Sequence, residues 1–219
     1  MCGRYAQTAD MRELMEQFSV TGTSPESSLP LNWNIAPTNP IYIVRANDQS
    51  GNDVAQQKAL AVVSWGLIGP WLTDFQEARA SQSRAINARS ESIHEKPTFR
   101  NAFRATRCLI PASGYYEWAT ALGKYSPKQP FYISARDDRQ LPIAGIWSSW
   151  RAPNGEVIET ASIITQEAQG ELATIHSRMP VFMPQDRWDT WLNPRNTDVN
   201  MLKSLMVVEN PESIVKAHP

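Results

Sequence analysis

The sequence predicts a single α+β domain: a curled antiparallel or mixed sheet, or an open β-barrel-like core, with flanking helices. Six short apolar or β-branched runs recur along the chain, helical patterns sit mostly near its two ends, and no internal repeat or Pro-, Gly- or Ser-rich linker divides residues 1–219. With 42% hydrophobic residues in 219, the chain is long enough to bury a sizeable core.

Thr8 is a candidate N-cap, and Met11, Leu14, Met15 and Phe18 follow at helical spacing, which predicts a short amphipathic helix ending near Phe18. Thr21 to Pro30 reads as a loop, followed by Asn34-Ile-Ala-Pro37 and a β-rich run from Ile41 to Val44. A second loop is expected from Asp48 to Gln57. Strands are predicted at Ala59 to Trp65, Cys108 to Pro111, Pro130 to Ser134, Pro142 to Trp147 and Ala161 to Thr165. Helices are predicted around Gly170 to Ile175, Asp186 to Leu192 and Val199 to Met206. Consecutive strands joined by short turns imply antiparallel pairing.

No apolar run approaches the roughly 20 residues that a membrane helix needs. The N-terminus lacks a basic region followed by an apolar stretch, so a cytoplasmic location is expected. Cys2 and Cys108 are expected as free thiols, and the three histidines and two cysteines lack zinc-ligand spacing, so neither metal nor cofactor is predicted. The net charge of −1 conceals a segregation, because Arg79 to Arg107 carries seven Lys or Arg against two Glu. That stretch reads either as an anion-binding face or as dispersed surface charge.

Removal of the initiator Met would expose an α-amine and a β-thiol together on Cys2. The amine, with an ordinary pKa of about 7.7 to 8.0, is partly unprotonated at neutral pH and forms a Schiff base with an aldehyde. The thiol then adds to the imine carbon and closes a five-membered thiazolidine. Position alone favours an incidental cysteine in a frayed terminus.

Other motifs also read two ways. Asn87 and Arg89 lie two residues apart, hence on one face of an extended segment, where a carboxamide and a guanidinium would reach one ligand. Glu117 is a lone acid in Gly114-Tyr-Tyr-Glu117-Trp118, suited to a proton shuttle or to pairing with an Arg. His176 and Arg178 follow a predicted helix, where the imidazole serves as catalyst or as helix cap. Trp65 and Trp71 bracket a glycine-containing turn that is either a stacking platform or core.

Together these motifs resemble the SRAP (SOS response-associated peptidase) domain family. The carrying segments are Met1-Cys2-Gly3-Arg4-Tyr5, Asn34-Ile-Ala-Pro37, Trp65-Gly66, Asn87-Ala-Arg89-Ser-Glu91, Arg107-Cys-Leu-Ile-Pro111, Gly114-Tyr-Tyr-Glu117-Trp118 and His176-Ser-Arg178-Met-Pro180, in the family's order. The resemblance implies a monomer that acts on abasic sites in single-stranded DNA and at single-strand/duplex junctions, associated with the nucleoid when bound. Cys2 would crosslink to the open-chain aldehyde in a pocket lined by Asn87, Glu117 and His176. In that scheme His176 protonates the sugar ring oxygen, Glu117 moves protons at the amine and Asn87 orients the sugar or the amine. Arg4, Arg89 and Arg178 would hold phosphates, and Asn34, Pro37, Trp65, Trp71 and Trp118 would contact DNA. Weak strand cleavage follows from the same Schiff base. Two competing functions are a thiol peptidase acting through Cys2, including on its own N-terminus, and a non-covalent reader of modified or damaged DNA.

Overall fold

The computed structural model describes residues 2–47, 57–120 and 125–219. The predicted loop from Asp48 to Gln57 lies outside these residues except for Gln57. The chain runs β1 (Arg4–Gln7), α1 (Met11–Gln17), β2 (Asn32–Ile35), β3 (Pro40–Ala46), β4 (Lys58–Trp65), α2 (Phe75–Arg84), β5 (Asn87–Arg89), α3 (Arg100–Ala105), β6 (Arg107–Ala112) and β7 (Gly114–Trp118). It continues through β8 (Pro130–Ala135), β9 (Leu141–Arg151), β10 (Val157–Glu167), β11 (Arg178–Pro180), α4 (Trp188–Leu192), α5 (Val199–Leu205) and β12 (Val215–His218). Among the described residues no helix is long and apolar enough to cross a membrane.

Strands β10, β4, β3, β6 and β9 form a closed mixed barrel, because β9 pairs back onto β10. The other sheet is antiparallel, in the order β12-β8-β7-β1-β2. The α+β class and the curled, barrel-like core agree with the sequence, and of the antiparallel or mixed sheet it allowed, the barrel is the mixed kind: β4 and β5 both run parallel to β10. The reason is the excursion between them. β4 ends where Trp65 pairs with Ala161, the chain leaves through α2, and β5 returns to pair Asn87 with Ile163 farther along the same strand. Two helices, α2 and α3, thus occupy the middle of the chain, where the sequence reading placed none.

The barrel strands are near-continuous apolar runs because both of their faces are buried. Ile41, Ile43, Val63, Trp65, Ile110 and Ile163 point to a core shared with Cys2, Tyr5, Tyr115 and Ile133 of the five-stranded sheet. Their neighbours Tyr42, Val44, Leu109 and Ile164 point the other way, to a core built with Leu14, Phe18, Trp188 and Trp191 of the helices. Helix α1 is capped by Asp10, not Thr8: Asp10 accepts from the Glu13 N–H at 2.8 Å while Glu13 accepts from the Asp10 N–H at 3.0 Å. Thr8 is instead tied to the Ser113 hydroxyl by its own N–H and hydroxyl.

Arg107, the last of the basic stretch, is 2% exposed and so contributes nothing to a surface field. Its guanidinium donates to the carbonyls of Phe103 and Arg104 at the end of α3, of Trp191 and Asn193 at the end of α4, and of Asn196. One cation thereby satisfies the orphan carbonyls of two helix C-termini and complements both dipoles. Burial pulls its pKa down to about 10, which leaves it charged at neutral pH. Arg107→Ala should destabilise the fold by at least about 3 kcal/mol, since several buried carbonyls lose their donor together. Chemical denaturation checks this, with the midpoint falling well below wild type.

Candidate active site and nucleic-acid interface

The site forms where the N-terminal end of β1 meets the C-terminal end of β7. Arg4 pairs with Tyr116 and Tyr5 with Tyr115, so continuing that antiparallel register sets Gly3 and Cys2 beside Glu117 and Trp118. Strand alternation does the rest. Tyr115 and Glu117 point inward and are buried, whereas Tyr116 and Trp118 point outward, Trp118 being 44% exposed.

Cys2 is 1% exposed, and its backbone carbonyl accepts from Asn87 Nδ2 at 3.1 Å. The Asn87 Oδ1 is buried, and among the described residues nothing donates to it, leaving an acceptor for an incoming N–H or O–H. The Cys2 thiol donates to the Glu117 side chain, and burial first, then the facing Glu117 carboxylate, push the thiol pKa well above its ordinary value. The resting group is therefore a thiol rather than a thiolate.

His176 Nε2 lies 4.0 Å from Glu117 Oε2. Its Nδ1 accepts from the Arg178 backbone N–H at 2.9 Å, so the neutral imidazole carries its proton on Nε2, the nitrogen that faces Glu117. Cys2, Asn87, Glu117 and His176, scattered over 175 positions, thus meet in one cluster. His176 follows a 3-10 helix, Gly170–Thr174, where the sequence predicts an α-helical pattern.

Arg89 is exposed on β5 beyond Asn87, with buried Ala88 between them, so the two project on the same side. Arg4 donates from Nη1 to Asn34 Oδ1 at 3.0 Å, a neutral partner, and among the described residues no carboxylate pairs with its charge. Pro37 sits in a tight turn from Ala36 to Asn39, held against the Trp65 carbonyl by the Thr38 N–H. Trp71 is 50% exposed but lies in a separate cleft against α2 with Asp74, Glu77 and Arg84.

Trp65 requires correction as a base-stacking residue. It is completely buried, packs edge-on against Tyr5 with centroids 5.3 Å apart, and donates from Nε1 to the Ile86 carbonyl at 3.0 Å. Its effect on the site is indirect: it anchors the residue preceding Asn87. Gly66 beside it adopts a φ of +113°, and a Cβ there would lie 2.3 Å from the Gln82 carbonyl oxygen, so the turn into α2 needs glycine.

Arg178 is engaged within the protein. Its Nη1 and Nη2 donate to the two carboxylate oxygens of Glu91 at 2.6 and 3.0 Å, and Nη2 also reaches the Thr165 carbonyl at 2.8 Å. This clamp fixes the backbone whose N–H orients His176. The hydrogen bonds from Arg178 hold the Glu91 carboxyl below its ordinary value of 4.5. A depressed carboxyl stabilises the fold above its unfolded pKa and loses that contribution as pH falls through its folded pKa. Glu91→Gln should therefore lower Tm at neutral pH, by an amount worth no more than about 1 kcal/mol because Glu91 is half-exposed. In melts toward pH 3 the gap between variant and wild type should close; a gap independent of pH would assign Glu91 another role.

Trp33, 63% exposed on β2, was not singled out by its sequence, although it precedes the Asn34-Ile-Ala-Pro37 motif directly. It shares a hollow of about 630 Å³ with Gly3, Arg4, Asn34, Tyr116 and Trp118.

The chain matches, over residues 1–219, the family described as SOS response associated peptidase (SRAP). It is 35% identical over 206 residues to the abasic site processing protein YoqW of Bacillus subtilis (strain 168), covering 94% of this chain and 86% of that protein. It is 28% identical over 197 residues to the mouse abasic site processing protein HMCES, covering 77% of this chain and 55% of that protein. A crystal structure of a Bacteroides thetaiotaomicron protein superposes with a TM-score of 0.85 at 26% identity, covering 99% of this chain and 91% of the other. A Bordetella bronchiseptica protein gives 0.79 at 26% identity, covering 99% and 98%. By this match over its whole length, and with the site motifs brought together in space, the chain belongs to the SRAP family.

Proposed function

We propose that this protein processes abasic sites in single-stranded DNA by closing a thiazolidine between Cys2, freed of Met1, and the open-chain aldehyde of the lesion. The observation that carries the reading is the cluster itself. Asn87 holds the Cys2 backbone, Glu117 accepts the Cys2 thiol hydrogen, and His176 presents an N–H toward Glu117. The names of the relatives, abasic site processing proteins, point to the same lesion.

In this mechanism His176 gives its Nε2 proton to the sugar ring oxygen while Glu117 takes the C1′ hydroxyl proton and returns it to the imidazole, so the hemiacetal opens to the C1′ aldehyde with no net change of protonation. The Cys2 α-amine adds to C1′, the carbinolamine loses its oxygen as water, and an imine forms. The thiol then bonds to C1′ as its proton passes to Glu117 and on to the former imine nitrogen. One water is released for each crosslink. Loss of the C2′ proton from the imine would instead break the C3′–O bond by β-elimination, so ring closure competes with strand cleavage. The peptidase reading is less well supported: its thiolate is disfavoured at Cys2, whose thiol bonds a carboxylate rather than an imidazole.

Incubation with single-stranded DNA bearing one abasic site should yield a species that survives denaturation, with the mass of protein lacking Met1 plus DNA minus one water. Absence of any covalent species, from protein whose mass shows Met1 gone, would overturn the proposal.

A further inference from the structure

Between the pairs Tyr5–Ile35 and Gln7–Asn32 the ladder loses register: β1 contributes Ala6 alone, β2 both Trp33 and Asn34. Such a bulge breaks strict alternation and lets consecutive side chains share a face. Trp33 and Asn34 are both exposed, while Ile35 turns back into the core at 4%. Without the bulge one of the two would point inward.

The outer face of this sheet therefore carries Trp33 on one side, Trp118 on the other and Arg4 between them, above the hollow they share with Tyr116. The hollow lies on the face of β7 opposite the buried Glu117 yet adjoins the reaction site along the chain, since Gly3 in its lining follows Cys2, and Tyr116 and Trp118 flank Glu117. Two exposed indoles around an arginine that no carboxylate pairs with among the described residues suit a flat, unpaired, anionic unit: aromatic faces stack bases of any sequence, and the guanidinium takes the backbone phosphate. A purely apolar peptide would leave Arg4 desolvated without a counter-charge.

Building on the DNA reading above, we propose that Trp33 and Trp118 are the two walls of a subsite for one unpaired nucleobase, that of the nucleotide next to the reacting abasic sugar, with Arg4 on its phosphate. Stacking supplies non-covalent affinity that holds the lesion at Cys2 while the slower bond-forming steps proceed.

The test uses oligonucleotides carrying a tetrahydrofuran abasic analogue, which has no aldehyde and reports non-covalent binding alone. Equilibrium affinity is measured by fluorescence anisotropy for wild type, Trp33→Ala and Trp33→Phe, on strands with every other base present and on strands lacking the base 5′ or 3′ of the analogue. Trp33→Ala should weaken binding about tenfold on the first strand, the scale of one lost base stack. It should cost nothing further on the strand lacking whichever neighbour occupies the subsite, and Trp33→Phe should retain most of the affinity. Equal loss on all strands, or no loss, would overturn the subsite. An unchanged DNA affinity would leave this face to a protein partner. Normal affinities and coupling with no covalent product on aldehyde-bearing DNA would fail the crosslinking chemistry while sustaining the subsite; no binding by wild type would overturn both.

Discussion

Cys2→Ser should convert a permanent crosslink into a transient one. The variant keeps its α-amine after Met1 is removed, so imine formation survives. Its hydroxyl is a far weaker nucleophile than a thiol, and the step that seals the ring slows severely. On denaturing gels wild type should give a stable shifted band, whereas Cys2→Ser should give a shifted band only after borohydride reduction of the imine. Strand cleavage should rise in the same lane, because β-elimination no longer competes with ring closure. Cys2→Ala shares the amine and should behave alike. A stable band from Cys2→Ser without reductant would show that the thiol is dispensable, and no borohydride-trapped species from either variant would remove the amine from the mechanism.

The second large effect is expected at Glu117. Its carboxylate accepts from the Cys2 thiol and faces the protonated nitrogen of His176 at 4.0 Å, the position from which to carry protons among thiol, amine and departing water. Glu117→Gln keeps the shape and a carbonyl acceptor but removes the base, so crosslinking should slow by about 10²- to 10⁴-fold. The pH dependence carries a sign. Burial raises the Cys2 thiol pKa first, and the facing carboxylate raises it further, so removing that negative charge lowers the thiol pKa. The variant should gain more from alkaline pH than wild type, and the rate gap should narrow as pH rises. Single-turnover crosslinking from pH 6 to 10 measures this; an undiminished gap across that range would assign Glu117 an orienting role instead.

Much of this was legible along the chain. Barrel strands such as Ile41 to Val44 and Ala59 to Trp65, the latter interrupted by Ser64 alone, are apolar runs, and such runs announce themselves. Strands β1, β2 and β7 are harder to recognise, because their motifs carry site residues and exposed aromatics alongside core positions, which blurs alternation. Helix α2 has Ala78 and Gln82 as its buried residues and thus lacks an apolar stripe. The four central site residues could be named from motif order, but the direction each side chain takes depends on strand register. Trp65 and Trp71 illustrate the difference, since two indoles six residues apart end in a sealed core and at an open cleft.

The sequence by itself determined the α+β class, the barrel strands, the thiol and latent amine on Cys2, and the identities of the side chains around them, because these follow from local apolar periodicity and from covalent chemistry. Only the tertiary structure decided that the Cys2 thiol rests on Glu117, that His176 carries its proton toward that acid, and that Arg178 is clamped by Glu91. The parallel return of β5 onto β10 and the bulge that turns Trp33 outward were likewise decided in space. Their common physical reason is that pairing register and proton position are set by contacts between segments far apart in the chain, and no single segment encodes its partner.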